Sequence, residues 1–430
     1  MALAHAAASV KNSAIWNDRT MTTERRDIVI VGASFAGLGL AIALRKSLGR
    51  DLSLMVLDTA QKTVSATPDQ RAFALSAASV HLLTAIGIWQ RVSPLAQPVK
   101  AITLTAGRMA SPLRQSLLSY NNSTDAGEPA SYILPANTLR EALRAAAVEE
   151  GVSVVDGVAI CKITTSATEL LAVAMDSRSF ASRLMVAADG RRSPTRELAG
   201  IKSISWAYPQ SAIVTTVRHT ADHGGIAVQH FLEAGPFAIL PLTGGHRSSL
   251  VWSEERKTAR RIMALDEADF HAELAKRFGG VLGTIELDGP RVDHPLEFHL
   301  VRNFVADRLA VIGDAARGVH PIAGQGLNLG LRDVAALTQV VVESSRLGLD
   351  VGSLGVLGRY EQWRRFDSAV SAAAMDGLNR LFSNDNPVLR NARTISLGII
   401  DRMPGLKRLF VDEAAGLTGD LPKLLAGTLP

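Results

Sequence analysis

The sequence predicts an α/β fold, α+β over the whole chain, with a parallel-sheet domain, an inserted antiparallel sheet and a helical C-terminus. Three short apolar runs typical of buried parallel strands each lead into a glycine-containing turn, at 28–31, 184–188 and 309–312. Between 203 and 300 the pattern changes to alternating strands, and after 350 it becomes helical. We expect the parallel-sheet domain at 25–200 and 300–350, the inserted substrate-binding sheet domain at 201–299 with help from 70–130, and the helical region at 351–430.

The first segment, residues 1–24, is predicted to be a disordered tail. It is rich in alanine and lacks the basic start and uninterrupted apolar core of a secretory signal. No acid precedes Asp18, as in mitochondrial presequences, but arginine is scarce. Met21 would be a natural start, so translation of the first twenty residues stays open.

The first strand, 28–31, opens a motif that ends at an acid. Gly32, Ser34 and Gly37 occupy the three places of a G-x-G-x-x-G turn, and the next strand ends in Asp58, 21 residues after Gly37. Such a turn binds a pyrophosphate, and the acid accepts a hydrogen bond from a ribose hydroxyl. Ser34 replaces the glycine that makes room for pyrophosphate, although its hydroxyl could bond a phosphate. FAD or NAD binding is favoured over a purely structural βαβ unit.

The segment 307–333 forms a second motif of strand, glycine-rich loop and helix. The strand ends at Gly313 and Asp314, and the loop contains the run Gly324-Gln325-Gly326. Glycines let the backbone approach a ligand, and the helix start offers unpaired N–H groups. Asp314 suits sugar-like hydroxyls better than a phosphate. This second motif selects FAD over NAD, so we expect a Rossmann-like FAD-binding domain.

The run from Gly313 to Asp333 resembles the second FAD motif of class A flavin monooxygenases, which are p-hydroxybenzoate-hydroxylase-like. More narrowly, it resembles the ubiquinone-biosynthesis hydroxylases, and the resemblance covers nearly the whole chain from Asp27. It implies that Asp314 holds the ribityl chain and that 324–328 cover the pyrimidine edge of the flavin. Arg317 stands where the family often has histidine, a change expected at the mouth of the loop.

The resemblance implies further FAD contacts outside these two motifs. Arg71 is expected beside the flavin ring or the pyrophosphate, and Arg140 near the adenosine pyrophosphate. The run 189–196 matches the D-G-x-x-S-x-x-R motif, which the family associates with FAD and the pyridine nucleotide. The expected cofactor-binding residues are Gly32, Ser34, Gly37, Asp58, Arg71, Arg140, Asp189, Gly190, Arg196, Gly313, Asp314, Pro321, Gly324, Gln325, Gly326, Leu327 and Asn328.

The inserted sheet is expected to roof the substrate cavity opposite the flavin. Its segment 235–241 is apolar throughout, which predicts a strand covered on both faces and an apolar cavity lining. Phe237 and Ile239 are candidate substrate contacts, but core packing is the favoured role for either one singly. His320 and Pro321 are expected near the flavin, where a structural role for His320 is equally supported. No acid or base catalyst is assigned.

Composition narrows the range of functions. Hydrophobic and charged contents of 47% and 20% are globular values. The lone Cys161 excludes an internal disulfide, and no metal cluster is recognisable. With a net charge of +5, nucleic acid ranks last among partners. No apolar run reaches the roughly 18 residues of a membrane span. The basic amphipathic end at 390–410 suits a membrane surface, a second subunit or the enzyme body equally.

The resemblance implies an FAD-dependent monooxygenase that hydroxylates an aromatic ring through a flavin hydroperoxide. O2 is the co-substrate, and NAD(P)H or a reductase partner supplies electrons. The leading substrate is a polyprenyl phenol of ubiquinone biosynthesis. The alternatives are a soluble aromatic or terpenoid substrate, or a prenyl-binding carrier without redox chemistry. We expect a bacterial cytoplasmic protein at the inner face of the membrane. Membership of a ubiquinone-biosynthesis complex and formation of a homodimer both stay open.

Overall fold

The computed structural model describes residues 23–60, 69–106, 115–320, 324–382 and 404–430. The first strand begins at Thr23, so residues 23 and 24 belong to the sheet rather than to the predicted tail. The rest of that tail, 1–22, lies outside the described residues, as does the predicted contact residue Pro321.

The first half of the chain alternates strands and helices. In chain order the elements are β1 (Thr23–Val31), α1 (Phe35–Leu48), β2 (Leu54–Asp58), β3 (Ala72–Ser76), α2 (Ala77–Ala85), α3 (Trp89–Val92), β4 (Gln97–Pro98), β5 (Ala101–Ala106), β6 (Gln115–Asn121), β7 (Ser131–Pro135), α4 (Ala136–Glu149), β8 (Ser153–Asp156), β9 (Ile160–Thr165), β10 (Leu170–Ala174), β11 (Ser179–Ala187) and α5 (Pro194–Leu198).

The second half runs from long strands into long helices. It comprises β12 (Ser203–His219), β13 (Ile226–Leu232), β14 (Gly235–Pro241), β15 (Arg247–Glu255), α6 (Arg256–Met263), α7 (Glu267–Phe278), β16 (Ile285–Leu287), β17 (Val292–Val301), β18 (Val305–Ala306), β19 (Leu309–Val311), β20 (Arg317–Gly318), α8 (Gly326–Arg346), α9 (Leu354–Phe382) and α10 (Pro404–Ala415).

The first sheet has the parallel core that the three apolar runs predict. Its strand order is β18-β19-β11-β1-β2-β8; β10 pairs with β11, and β9 pairs with β10. The five strands β19, β11, β1, β2 and β8 are parallel to one another, whereas β18 is antiparallel to β19. Residues 28–31 are buried on both faces, as parallel strands are. The turns after β1, β11 and β19 therefore meet at one edge of the sheet.

The second sheet is the inserted domain, and it borrows strands from earlier in the chain. Its order is β20-β17-β12-β15-β14-β13-β5-β6, and only the β13–β5 pair is parallel among the pairs of this order. Strands β5 and β6, which lie within 70–130, pair with β13 and with each other in this sheet. Helices α6 and α7 pack on one face of this sheet, around a core that includes Phe237, Trp252 and Phe270.

Strand β14 shows that the predicted substrate contacts are on the wrong face. Phe237 and Ile239 are fully buried in the core beneath α6 and α7. Their neighbours Ala238 and Leu240 point the other way and line the large cavity. The strand is covered on both faces, as predicted. Side chains alternate between the two faces of a strand, so the predicted contact residues are each one position away from the residues that line the cavity.

The C-terminal region is helical, as predicted. Helix α8 packs against α1 and α9. In the described part of the chain, no helix has both the length and the hydropathy needed to cross a bilayer. Of the basic positions near the C-terminus, Lys407 and Arg408 lie in α10, whereas Arg390, Arg393 and Arg402 fall outside the described residues.

The orientation of β14 predicts the effect of shortening Phe237. The substitution Phe237→Ala leaves a cavity in the core under α6 and α7, so we expect it to lower the free energy of unfolding by about 3–5 kcal/mol. FAD affinity should not change. The matched control is Ala238→Val on the opposite face, expected to change stability by less than about 1 kcal/mol. Urea unfolding and FAD titration measure both effects. A stable Phe237→Ala protein would contradict the orientation.

Candidate cofactor and active site

Two glycines in the turn after β1 are required by close backbone contacts. Gly32 has φ +111°, and a Cβ there would lie 2.3 Å from the carbonyl oxygen of Ala188, at the end of β11. A Cβ on Gly37 would lie 2.0 Å from the carbonyl oxygen of Gly32. Any side chain at either position would therefore push apart the strand ends and the start of α1. The turn can stay open to a ligand only because neither position carries a side chain.

Ser34, the residue in the place of the middle glycine, is the N-cap of α1. Its Oγ accepts a hydrogen bond from the N–H of Gly37 at 3.1 Å. Serine is among the preferred N-cap residues, which explains its presence here. Ser34 also lines the cavity, so its hydroxyl proton can still be donated to a ligand. Asp58 lines the same cavity from the end of β2.

The turn after β19 is closed by glycine contacts as well. Gly313 has φ +61°, and a Cβ there would come within 3.0 Å of the Cβ of Ala36. A Cβ on Gly330 in α8 would lie 3.3 Å from the Cα of Gly313. Helices α1 and α8 thus press on this turn from both sides. The next residue, Asp314, is exposed and lines the cavity.

A buried ion cluster lies behind this turn. Asp333, fully buried in α8, accepts a hydrogen bond from the N–H of Gly313 at 2.9 Å. Its other oxygen accepts from Nε of Arg364 at 2.7 Å and from Arg317. Burial lowers the pKa of Arg317, and Asp333 opposes that effect. Arg317 was expected at the mouth of the loop; the structure places it in the interior instead, because its partner Asp333 is there.

A second set of charges lies on the cavity wall. The carboxylate of Asp69 accepts from Arg71 at 2.9 and 2.7 Å and from Arg140 at 2.6 Å. The hydrogen bond with Asp69 raises the pKa of Arg71. Both arginines line the cavity, over the rings of Phe73 and Phe35. Two arginines held in this way suit a pyrophosphate. Sequence reasoning assigned no role to Asp69, which no motif marks.

The third motif supplies one carboxylate to the cavity. Asp189 accepts from the N–H of Thr195 at 3.1 Å through one oxygen. Its other oxygen is buried and has no hydrogen-bond partner in the described part of the protein. Gly190, with φ +85°, lines the cavity beside it. A buried acceptor without a partner marks a place where a ligand would donate.

Among the described residues, three predicted cofactor contacts do not line the cavity: Gly37, Arg196 and Asn328. Gly37 acts by its lack of a side chain, as described above. Arg196 is buried and donates to the carbonyl oxygens of Arg191 at 2.9 Å and Ala315 at 3.0 Å. Asn328 is buried as well; its carbonyl oxygen accepts from Ser76 and Ser79, which ties α8 to β3 and α2. The prediction of direct contact is corrected for both, because neither side chain lines the cavity. Protein groups pair with the amide of Asn328 and with the two terminal nitrogens of Arg196, whose Nε has no partner among the described residues. The neighbouring run 324–327 does line the cavity.

His320 is buried rather than exposed to the cavity. Neither ring nitrogen has a hydrogen-bond partner among the described residues, and the ring meets that of Tyr208 edge-on at 5.2 Å. Burial lowers the pKa of His320 to about 4, with Asp376 acting in the opposite direction. The preceding Val319 lines the cavity, but His320 does not. The imidazole is therefore neutral at neutral pH and is not placed for direct contact.

The cavity itself is large and has two chemically different walls. Its volume is about 1330 Å³. The residues after β1, β11 and β19 line one part, and the inserted sheet lines the other. The sheet wall is mainly apolar and includes Ala212, Val214, Val251, Ala238, Leu240 and Phe231. The cavity is thus shared between the two domains.

Several polar residues of the cavity were missed by sequence reasoning. They are Tyr120, Arg144, Arg191, Arg192, Gln229, His294 and Glu297. Burial raises the pKa of Tyr120 to about 12, so its hydroxyl stays protonated. Burial, followed by the charge of Arg71, lowers the pKa of His294. Arg191 and Arg192 occupy variable positions of the D-G-x-x-S-x-x-R motif, and the others belong to no recognisable motif. All of them line the cavity.

These residues fit FAD. The glycine turn and the start of α1 suit the pyrophosphate, and Asp58 suits a ribose. The exposed Asp314 and the unpartnered oxygen of Asp189 can accept from ligand hydroxyl or N–H groups. Helix α8 begins at Gly326 without a side-chain cap, so its first N–H groups are free for an electron-rich ring.

Comparison with known proteins agrees with this geometry. The family described as FAD binding domain matches residues 25–349. The chain is 40% identical to the ubiquinone hydroxylase UbiL of Rhodospirillum rubrum, over 93% of this chain and 92% of the relative. It is 32% identical to the 3-demethoxyubiquinol 3-hydroxylase of Escherichia coli, over 92% of this chain and all of the relative.

A solved structure shows the same fold. The p-nitrophenol 4-monooxygenase PnpA from Pseudomonas putida superposes with a TM-score of 0.75 and 17% sequence identity. The match covers 92% of this chain and 99% of that one. At this identity the likeness establishes the fold.

The ion cluster predicts the effect of removing the charge of Asp333. In Asp333→Asn the buried arginines lose their shared carboxylate, so we expect the free energy of unfolding to fall by about 3–5 kcal/mol. The turn at Gly313 loses a charged acceptor, so FAD affinity should fall by about tenfold. The control is Arg359→Gln, which breaks an exposed ion pair with Glu343 of α8 and should alter stability by less than about 1 kcal/mol. Equal effects of the two substitutions would contradict the prediction.

The burial of His320 predicts a loss of stability in acid. Its folded-state pKa lies below the unfolded value of 6.5, so the unfolded chain binds the proton first as the pH falls. Stability present above pH 6.5 is then lost down to about pH 4. For this one group the loss is about 3 kcal/mol.

The measurement is the melting temperature as a function of pH. In His320→Leu one titrating group is removed, so the fall between pH 6.5 and 4 should be shallower than in the wild type. Some slope should remain, because burial also lowers the pKa of His299 to about 4. Parallel curves for the two proteins would rule out this role of His320.

Proposed function

This chain belongs to the FAD binding domain family and, within it, to the ubiquinone hydroxylases; on that premise we propose that it hydroxylates the ring of a polyprenyl phenol on the way to ubiquinone. The observation that carries the proposal is the shared cavity of about 1330 Å³. One wall presents the groups that suit FAD, and the other is an apolar sheet. An apolar aromatic substrate would thus lie beside the cofactor.

In this proposal the first two motifs, with Arg71 and Arg140, would hold most of FAD. The turn at 32–37 would bind the pyrophosphate together with Arg71 and Arg140. Asp58 would accept a hydrogen bond from the adenosine ribose. Asp314 accepts from the ribityl hydroxyls, and 324–327 cover the pyrimidine edge of the ring. FAD supplies the redox chemistry, taking electrons from NAD(P)H or a reductase partner and activating O2.

The protein contributes orientation, electrostatics and exclusion of water. The N–H groups at the start of α8 are fixed by the helix, so they stabilise negative charge without rearrangement. The apolar residues of β12, β14 and β15 keep water from the reacting ring. No side chain is assigned as a covalent catalyst. The reaction relies on holding cofactor, oxygen and phenol together in one dry space.

The substrate also bears on where the enzyme works. A polyprenyl phenol partitions into membranes, so we place the protein in the cytoplasm, at the inner face of the membrane. Helix α9 supports this with an exposed apolar stripe, in which Phe366 is 78% and Val370 51% exposed. The same stripe would serve a homodimer or a ubiquinone-biosynthesis complex.

Deletion of the gene tests the proposal. We expect quinone levels to fall and a precursor that lacks one ring hydroxyl to accumulate. The wild-type gene should restore the quinone, and Asp314→Ala should not, because its FAD affinity falls by about tenfold or more while the exposed position leaves folding intact. The matched control is Asp307→Ala, an exposed aspartate just before β19 that does not line the cavity.

Each result has a defined meaning. Unaltered quinone in the deletion strain would exclude the ubiquinone assignment and favour a soluble aromatic or terpenoid substrate. Purified protein that is colourless and takes up no FAD would favour the prenyl-binding carrier. Yellow protein whose reduced flavin is rapidly reoxidised by O2 would support an oxygenase.

A further inference from the structure

On the cavity side of the inserted sheet, a row of paired residues crosses the strands. All but one of these residues are apolar, and the polar one lies inside the row rather than at its end. Paired residues run across six neighbouring strands, from β12 to β6 by way of β15, β14, β13 and β5. All of them line the cavity, and in order they are Val214, Val251, Ala238, Gln229, Leu104 and Leu118. Five are apolar, and Gln229 of β13 is the exception.

The amide of Gln229 makes no hydrogen bond to any described residue of the protein. The side chain is half-buried, between Ala238 and Leu104 on the adjacent strands. A polar group in apolar surroundings costs stability unless a partner satisfies it. A ligand in the cavity would supply that partner.

The chemistry of the amide restricts the ligand. A carboxamide has an acceptor oxygen and two N–H donors but no charge. The described arginines that line the cavity, at 71, 140, 144, 191 and 192, come from the first domain and not from the sheet. The sheet wall therefore lacks the cation that a carboxylate would need. It suits a neutral ring with a hydroxyl or carbonyl oxygen.

Three other polar side chains on the sheet wall lie nearer its borders. His294 and Glu297 are in β17, next to the edge strand β20, and Tyr120 is in the opposite edge strand β6. The groups that act on His294 are Arg71, Asp69, Asp293 and Arg191, and Glu297 lies 3.7 Å from Arg191, so both lie toward the charged side of the cavity. Gln229 alone of the four lies within the apolar row, where a buried ring would lie.

We propose that Gln229 is a specificity-determining residue that hydrogen-bonds the ring oxygen of a neutral, apolar phenol. The inference rests on the proposed function and adds to it the group that distinguishes a phenol from an equally apolar ligand without oxygen. Apolar contact with the remaining residues of the row provides affinity. The amide provides the discrimination, because an apolar ligand would leave its polar atoms unpaired.

The test measures this discrimination directly in the FAD-loaded protein. Binding of 4-pentylphenol and of pentylbenzene is followed by the change in flavin absorption. We expect the wild type to bind the phenol about tenfold more tightly. In Gln229→Met, which keeps the length of the side chain and removes the hydrogen bond, the two dissociation constants should become nearly equal. Pentylbenzene should bind the variant at least as tightly as the wild type, and FAD content should be unchanged.

The controls separate this inference from the proposed function. If the wild type binds neither compound, the apolar phenol class itself is wrong, and both proposals fail. If the wild type binds both equally, or Gln229→Met keeps the preference for the phenol, the role of Gln229 is refuted and the proposed function stands. Loss of the preference in Tyr120→Phe, with its retention in Gln229→Met, would assign the discrimination to Tyr120 and overturn the proposal. Loss only in Gln229→Met supports it.

Discussion

The buried carboxylate of Asp333 is the interaction on which the cofactor half of the cavity depends. It joins the N–H of Gly313, the guanidinium of Arg317 and the guanidinium of Arg364, so that three short segments meet at α8: the turn after β19, β20 and α9. An unpaired charge in this interior would be strongly destabilising, so the three segments hold one another in place. Asp314, the next residue after Gly313, is thereby presented to the cavity while its neighbours stay buried.

The position of the cavity follows from close contacts between backbones. The ends of β1, β11 and β19 meet at the carboxyl edge of a parallel sheet, where ligands of such folds bind. Gly32 approaches Ala188 there, and Gly313 approaches Ala36, at distances that leave no space for a side chain. The three turns therefore enclose one groove, and α1 and α8 direct their N-termini toward it.

The division of polarity between the two walls explains how one cavity can serve two ligands. Charged groups from the first domain, such as Arg71 and Asp314, suit a charged and hydroxylated cofactor. The inserted sheet offers a mainly apolar surface on that side and buries a separate core under α6 and α7 on the other. In this dry setting the Tyr120 hydroxyl stays protonated because burial raises its pKa to about 12. Away from Glu297 at its border, the sheet thus adds hydrogen-bonding groups to the cavity without adding charge.

The sequence by itself determined the parallel sheet and the turns that follow its strands, and it predicted the order of the domains and most of the cofactor groove. These features are local: an apolar run, a glycine turn and a helix start lie within a few residues of one another, as in 28–37 and 309–327. Only the tertiary structure decided which side of β14 faces the cavity, since both faces of that strand are apolar and alternation alone cannot rank them. It also decided that Arg196, Asn328 and Arg317 support the groove from within, and that Gln229 faces the cavity. Those roles depend on partners distant in sequence, and a side chain's partners are set by packing rather than by its neighbours along the chain.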